Sequence, residues 1–178
     1  MTTYISILRG INVSGKNLIK MDALKKMYEN LGFQNIKTYV QSGNVVFKAT
    51  GSEKEIAQTI IDGIKSEFGY DVPVIVLNLD DFKDIIENSP FAKDPSKDPA
   101  FLHVTFLADK PGNFDRKAID EKVGKGEEIH FADNAVYLYC PNGYGVTKLS
   151  NTFLESKLKV TATTRNWKST NAIFNLAQ

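Results

Sequence analysis

The sequence predicts an α+β fold of two ferredoxin-like halves, each a βαββαβ unit with its helices on one face of an antiparallel sheet. Three observations predict it. The order strand, helix, strand, strand, helix runs from Tyr4 to Phe68, and the same order starts again at Phe101. A further apolar strand from Val72 to Leu77 completes the first copy. The 178-residue chain is 42% hydrophobic and 24% charged, a balance that lets it bury a core without disulfides. The expected organisation is an N-terminal half over 1–78, a connecting helix and linker over 79–100, and a C-terminal half with C-terminal helices over 101–178.

Each element has a local cause. Tyr4 to Leu8 is short, apolar and β-branched, and Arg9-Gly10 ends it. Gly10 to Lys20 is an unusually long loop for a compact domain, and such loops often carry function. Met21, Leu24, Met27, Tyr28 and Leu31 repeat at helical spacing, and Gly32 follows as the residue past the helix end. Ile36 to Val40 and Asn44 to Phe47 form a hairpin around Gln41-Ser42-Gly43. Ser52 and Glu55 make a capping-box pattern ahead of Ile56, Ile60, Ile64 and Phe68, and Gly69 closes that helix. Pro73 is tolerated at the start of the next strand. A turn or two of helix surrounds Phe82, Ile85 and Ile86, and the proline-rich stretch Ser89 to Pro99 reads as a linker.

In the second half, Phe101 to Leu107 is a strand, and Asn113 is expected to cap a helix through Ile119 and Val123. Glu128 to Phe131 and Ala135 to Tyr139 flank Asp133-Asn134, a pair suited to positive φ. Ser150 starts a short helix through Phe153, Leu154 and Leu158. Thr164 is expected to cap a last helix running from Arg165 to Ala177.

Composition excludes some functions. The net charge of +1 gives no global field for nucleic acid or anionic lipid, so any such binding needs a local patch. Cys140 sits alone in an apolar strand pattern and reads as a small buried hydrophobe. No apolar run is long enough to span a bilayer, and Met1-Thr2-Thr3 leads directly into a strand. A cytoplasmic location is the expectation, with no membrane partner.

Topology then places a polar cluster. Right-handed split βαβ crossovers leave the first and third strands central and antiparallel. The end of the first strand therefore lies beside the start of the third, and Arg9, Asn12, Gln41, Ser42 and Asn44 converge at one edge. Lys16 and Lys20 add charge, and a glycine-containing loop offers backbone N–H groups to an anion. The competing reading is that Gly10 and Gly15 only shape the loop and Asn12 satisfies its backbone.

Other chemistries are weaker. Gly10-x-x-x-x-Gly15-Lys16-Asn17 lacks the Ser or Thr that a nucleotide-binding P-loop places on Mg²⁺, and its helix starts too late. Tyr4 and Phe47 occupy the strands on which RNA-recognition domains stack bases, yet core packing is the better reading for both. His103 and His130 have no partners at metal-ligand spacing, so no metal and no cofactor are expected. Glu127 and Glu128 read as a solvated strand edge, and no nucleophile–base–acid set is discernible. Arg165-Asn166-Trp167 presents a planar cation, an amide and an indole within one turn. Trp167 reads as an anchor, while Arg165 and Asn166 either cap backbone or hold an anion.

Leu8-Arg9-Gly10-Ile11-Asn12-Val13-Ser14-Gly15-Lys16-Asn17 resembles the LRGINVGG signature of an uncharacterised bacterial family, a domain of unknown function, with Ser14 in place of the first glycine of the pair. Tyr39 to Phe47 resembles its second signature, YIQSGNVVF, and Thr164 to Trp167 its TxRNW run. The resemblance implies a small cytoplasmic protein with a duplicated ferredoxin-like fold and brings no activity with it. The functional expectation is non-catalytic binding of an anionic ligand at Arg9, Asn12, Lys16, Gln41, Ser42, Asn44, Arg165 and Asn166. A phosphorylated metabolite, a nucleotide or single-stranded nucleic acid each fits. The alternatives are an enzyme acting on a phosphorylated or nucleotide substrate, and a structural or interaction protein. The sequence leaves the oligomeric state open.

Overall fold

The computed structural model describes residues 1–178. Its first elements are β1 (Thr2–Leu8), α1 (Met21–Asn30), β2 (Gln34–Tyr39), β3 (Asn44–Ala49), α2 (Glu53–Phe68), β4 (Val74–Asn78) and α3 (Leu79–Glu87). The four strands form an antiparallel sheet in the order β2-β3-β1-β4. Then follow β5 (Leu102–Leu107), α4 (Arg116–Asp120), β6 (Glu128–Phe131), β7 (Ala135–Tyr139), α5 (Asn151–Leu158), β8 (Ala162–Asn166) and α6 (Trp167–Ala177). Their sheet has the matching order β6-β7-β5-β8. Both halves are therefore complete βαββαβ units of ferredoxin-like topology. The chain forms two compact units: Met1–Lys83 together with Ala172–Gln178, and Asp84–Asn171.

In the first unit, period-two alternation puts Tyr4, Leu8, Val45, Phe47, Val74 and Val76 in one core with Leu24, Met27, Tyr28, Ile56, Ile60 and Ile64 of the helices. Phe47 is its centre, with ring centroids 4.8 Å from Phe33 and 5.3 Å from Tyr28. Tyr4 and Phe47 are buried, as core packing requires. Ser6 and Tyr28 share a 2.8 Å hydroxyl hydrogen bond in the interior, and burial holds the Tyr28 phenol well above its ordinary pKa. The opposite face of this sheet, with Ile5, Ile7, Val46, Ile75 and Leu77, is buried as well. The α2 capping box forms as expected: Ser52 accepts from the Glu55 N–H, and the Glu55 carboxylate accepts from the Ser52 N–H. Gly69 then ends the helix in the left-handed conformation at φ 79°.

The second unit packs Leu107, Ile119, Val136, Leu138, Cys140, Leu149, Leu154, Leu158 and Ala162 together. Ser150 caps α5 through the Phe153 N–H. The proline-rich stretch folds down rather than hanging free: Lys97 pairs with Asp94 and Glu128, and its ammonium lies over the Phe91 and Tyr139 rings.

Three local expectations are corrected. Residues Ala162–Asn166 form strand β8 beside β5, so Arg165 and Asn166 are strand residues and the last helix begins at Trp167. Its cap is Asn166, whose Oδ1 accepts from the Ser169 N–H at 2.8 Å, and not Thr164, whose hydroxyl bonds Thr105 at 2.7 Å. Helix α4 is shorter than its apolar spacing implies, because Asp115 caps it through the Ala118 N–H in place of Asn113. Neither Asp133 nor Asn134 has a positive φ; the turn closes instead through Ala132 N–H to Ala135 O.

Candidate functional site

The C-terminal end of β1 meets the N-terminal end of β3 as the crossover argument requires. Ile7 pairs with Asn44, and the Leu8 N–H donates to the Gly43 carbonyl at 2.9 Å. This close approach depends on Gly43 having no side chain. A Cβ there would come within 2.7 Å of Leu8 Cβ and 2.9 Å of Ile11 Cδ1, and φ is +88°. The Arg9 N–H bonds the Pro73 carbonyl at 3.0 Å, which fixes where the partly buried Arg9 leaves the sheet.

One side chain stitches the long loop to the hairpin tip. Asn12 Nδ2 donates to the Ile19 carbonyl at 2.9 Å and to the Gln41 carbonyl at 2.8 Å, while its Oδ1 accepts from the Ile19 N–H at 2.8 Å. The loop folds back on itself through a Val13–Lys16 bridge, the Asn12 N–H to Asn17 O bond and Asn17 Nδ2 to the Gly10 carbonyl. Five of its residues, Gly10, Asn12, Ser14, Gly15 and Asn17, have positive φ. At the hairpin, buried Asn44 donates from Nδ2 to the Tyr39 carbonyl at 3.1 Å and to Ser42 Oγ at 2.9 Å. Asn12 and Asn44 thus spend their amides on the fold, and Asn17 holds the loop at the position where a P-loop needs a hydroxyl.

The resulting rim carries Arg9, Lys16 and Lys20 as cations, with exposed Lys16 and Gln41 and partly buried Ser42. Residues 9–20 and 39–44 contain no Asp or Glu. The charged side chains that these two segments themselves contribute are all cationic. The remaining expected residues, Arg165 and Asn166, belong to the second unit. There Arg165 lies opposite Val104, donates from Nη1 to the Thr164 carbonyl at 3.1 Å, and is pushed by burial down to about 10. Two residues away on the same strand face, the buried Thr163 hydroxyl has no hydrogen-bond partner.

Sequence reasoning missed residues that shape the rim. Val40 sits at φ +50°, a conformation for which a β-branched residue gives no sequence signal. Val13, Leu18 and Val40 are exposed rather than packed inward. No set of three or more His, Cys, Asp or Glu side chains is placed to hold a metal ion. His103 stacks on Tyr144 at 4.8 Å, and burial lowers its pKa.

A family model described as "Protein of unknown function (DUF1697)" matches residues 1–137. The chain belongs to that family. The matched span holds the loop of residues 10–20 and the hairpin tip, and so includes the rim of the first unit. Among solved structures, that of the conserved bacterial protein SP0830 from Streptococcus pneumoniae is similar, at 24% identity, with 99% of each chain covered and a TM-score of 0.72. At that identity the likeness speaks for the fold alone. No curated protein matches. No helix is long and apolar enough to cross a membrane.

Proposed function

We propose that this protein is a non-catalytic binder of anionic ligands, with Arg9, Lys16, Gln41 and Ser42 at the rim making the contacts and Asn12 and Asn44 holding those contacts in place. The observation that carries the reading is the Asn12 stitch. It bonds both Ile19 and Gln41, and so fixes two segments with three cations and no carboxylate against each other. A preorganised group of cations and backbone N–H donors binds an anion without the entropy of assembling it first. Arg165 and Asn166 are proposed as further anion contacts on β8 of the second unit. A phosphorylated metabolite, a nucleotide or single-stranded nucleic acid supplies the required charge, and a cytoplasmic location fits the buried, unpaired Cys140.

Calorimetric titration and thermal-shift measurements with inorganic phosphate, AMP, a sugar phosphate and oligothymidylate test the reading. At least one ligand should raise the melting temperature of the wild type. Arg9→Ala and Lys16→Ala should each weaken that ligand by about tenfold or more, since a charge-assisted hydrogen bond contributes roughly 1.5–3 kcal/mol. A steep salt slope would assign the nucleic acid. Wild type and variants responding alike to every ligand would remove the site.

A further inference from the structure

We infer that the first unit holds a second site, a cavity under the C-terminal end of α6 that binds a small amphipathic anion, an aliphatic tail with one anionic head. The cavity has a volume of about 450 Å³, a size that encloses small ligands. Its floor is the sheet face turned away from α1 and α2, where Thr3 of β1 pairs with Lys48 of β3 and Lys37 of β2 pairs with Val46. Its cover is Leu176, Ala177 and Gln178, which belong to the same unit as these strands. The rim stands at the other end of β1 and β3, where Ile7 pairs with Asn44, so the two sites are separate.

A break in the sheet's register puts both lysines on that face. Gln34 lies opposite Lys48, but Lys37 lies opposite Val46, so Asn35 and Ile36 together face the single Phe47. The bulge shifts the alternation of β2 by one residue. Ile36 joins the core, and Lys37, which unbroken pairing would turn inward, comes out beside Val46 and diagonal to Lys48. Neither ammonium is ion-paired. Strands β1, β2 and β3 and residues 172–178 contain no Asp or Glu, and Gln178 makes no ion pair with either lysine. Two like charges on diagonal neighbours repel, and one anion between them relieves that repulsion. The Thr3 hydroxyl, which has no hydrogen-bond partner within the protein, is a further donor to the same head. The apolar lining selects the tail. Val46, Leu176 and Ala177 are aliphatic, while the Phe47 ring is in the core, stacked on Phe33 at 4.8 Å. The cavity therefore offers no ring face to a nucleobase and suits an aliphatic chain.

Two-dimensional ¹⁵N–¹H spectra of the full chain, titrated with octanoate, octylamine, octan-1-ol and acetate, test this. Octanoate should shift the amides of Thr3, Lys37, Val46, Lys48 and Leu176 saturably. Octylamine and acetate should leave them in place, and octan-1-ol should bind more weakly than octanoate. Lys37 and Lys48 are exposed, so Lys37→Gln and Lys48→Gln should fold, and each should weaken octanoate about tenfold. Lys65→Gln, the same loss of charge on α2, should leave octanoate binding unchanged. Leu176→Ser should weaken it severalfold. Acetate matching octanoate would remove the tail from the account, and octylamine or octan-1-ol matching it would remove the anionic head; either overturns the site. Octanoate binding that survives both lysine substitutions, with a lowered melting temperature, would assign the lysines to the carbonyl end of α6 instead. Octanoate shifts confined to Arg9–Lys20 and Val40–Asn44 would place the ligand at the rim and overturn the second site, and no shift at any amide would overturn it as well.

Discussion

Asn12 carries more of the site than its single amide suggests. Its three side-chain hydrogen bonds leave two carbonyls and one N–H unsatisfied when the amide is removed. Asn12→Ala also puts alanine at φ +54°. Chemical denaturation should show a loss of roughly 2–4 kcal/mol, from unsatisfied groups and a backbone conformation alanine resists. A loss under about 0.5 kcal/mol would mean the loop and the hairpin tip hold together without it. Val40 makes the opposite case. Asparagine tolerates its φ of +50°, so Val40→Asn should raise stability by about 1 kcal/mol. A destabilised Val40→Asn would show that the valine packs in solution. The sequence marked Asn12 and Gly43 as loop and turn residues. It gave no sign of the Val40 strain, because propensity points away from a left-handed valine and only the closed hairpin imposes it.

Most elements were legible from spacing and caps. Helix α2 shows why: Ile56, Ile60 and Ile64 sit at helical spacing between a capping box and a left-handed glycine, and all these signals agree. Strand β8 was not legible. It is an edge strand with β5 as its single neighbour, it is rich in threonine, and it runs into α6 with no loop between them. Thr164 therefore resembled a cap, although its side chain bonds Thr105 across the sheet. Asn166 serves as both last strand residue and helix cap. Asn166→Ala should cost about 1 kcal/mol and fray the start of α6, visible as faster amide exchange at Ser169. Unchanged exchange there would return the cap to another residue. The meeting of the two chain segments in the first unit was legible for a topological reason, since antiparallel β1 and β3 bring the end of one beside the start of the other, and glycine at 43 then permits the close approach to Leu8.

The whole molecule repeats one topology twice, and its two copies bury their titratable groups differently. In the second unit burial lowers the His103 pKa below its ordinary value of 6.5. Near and below that value the unfolded chain takes up a proton that the folded chain resists, so stability is full above it and falls as pH drops towards the folded pKa. His103→Phe keeps a ring against Tyr144 and should flatten the change in melting temperature between about pH 7.5 and 5.5. An equal slope in both proteins would exclude His103 as its source. The likeness to SP0830 over 99% of each chain agrees with this duplicated fold. The proposed function depends on the stitched rim of the first unit. The most direct measurement is a two-dimensional ¹⁵N–¹H spectrum titrated with inorganic phosphate and AMP. The expected result is amide shifts concentrated at Arg9–Lys20 and Val40–Asn44, reduced in Lys16→Ala. Shifts confined to other parts of the sheet, such as Lys37 and Lys48, would contradict the account.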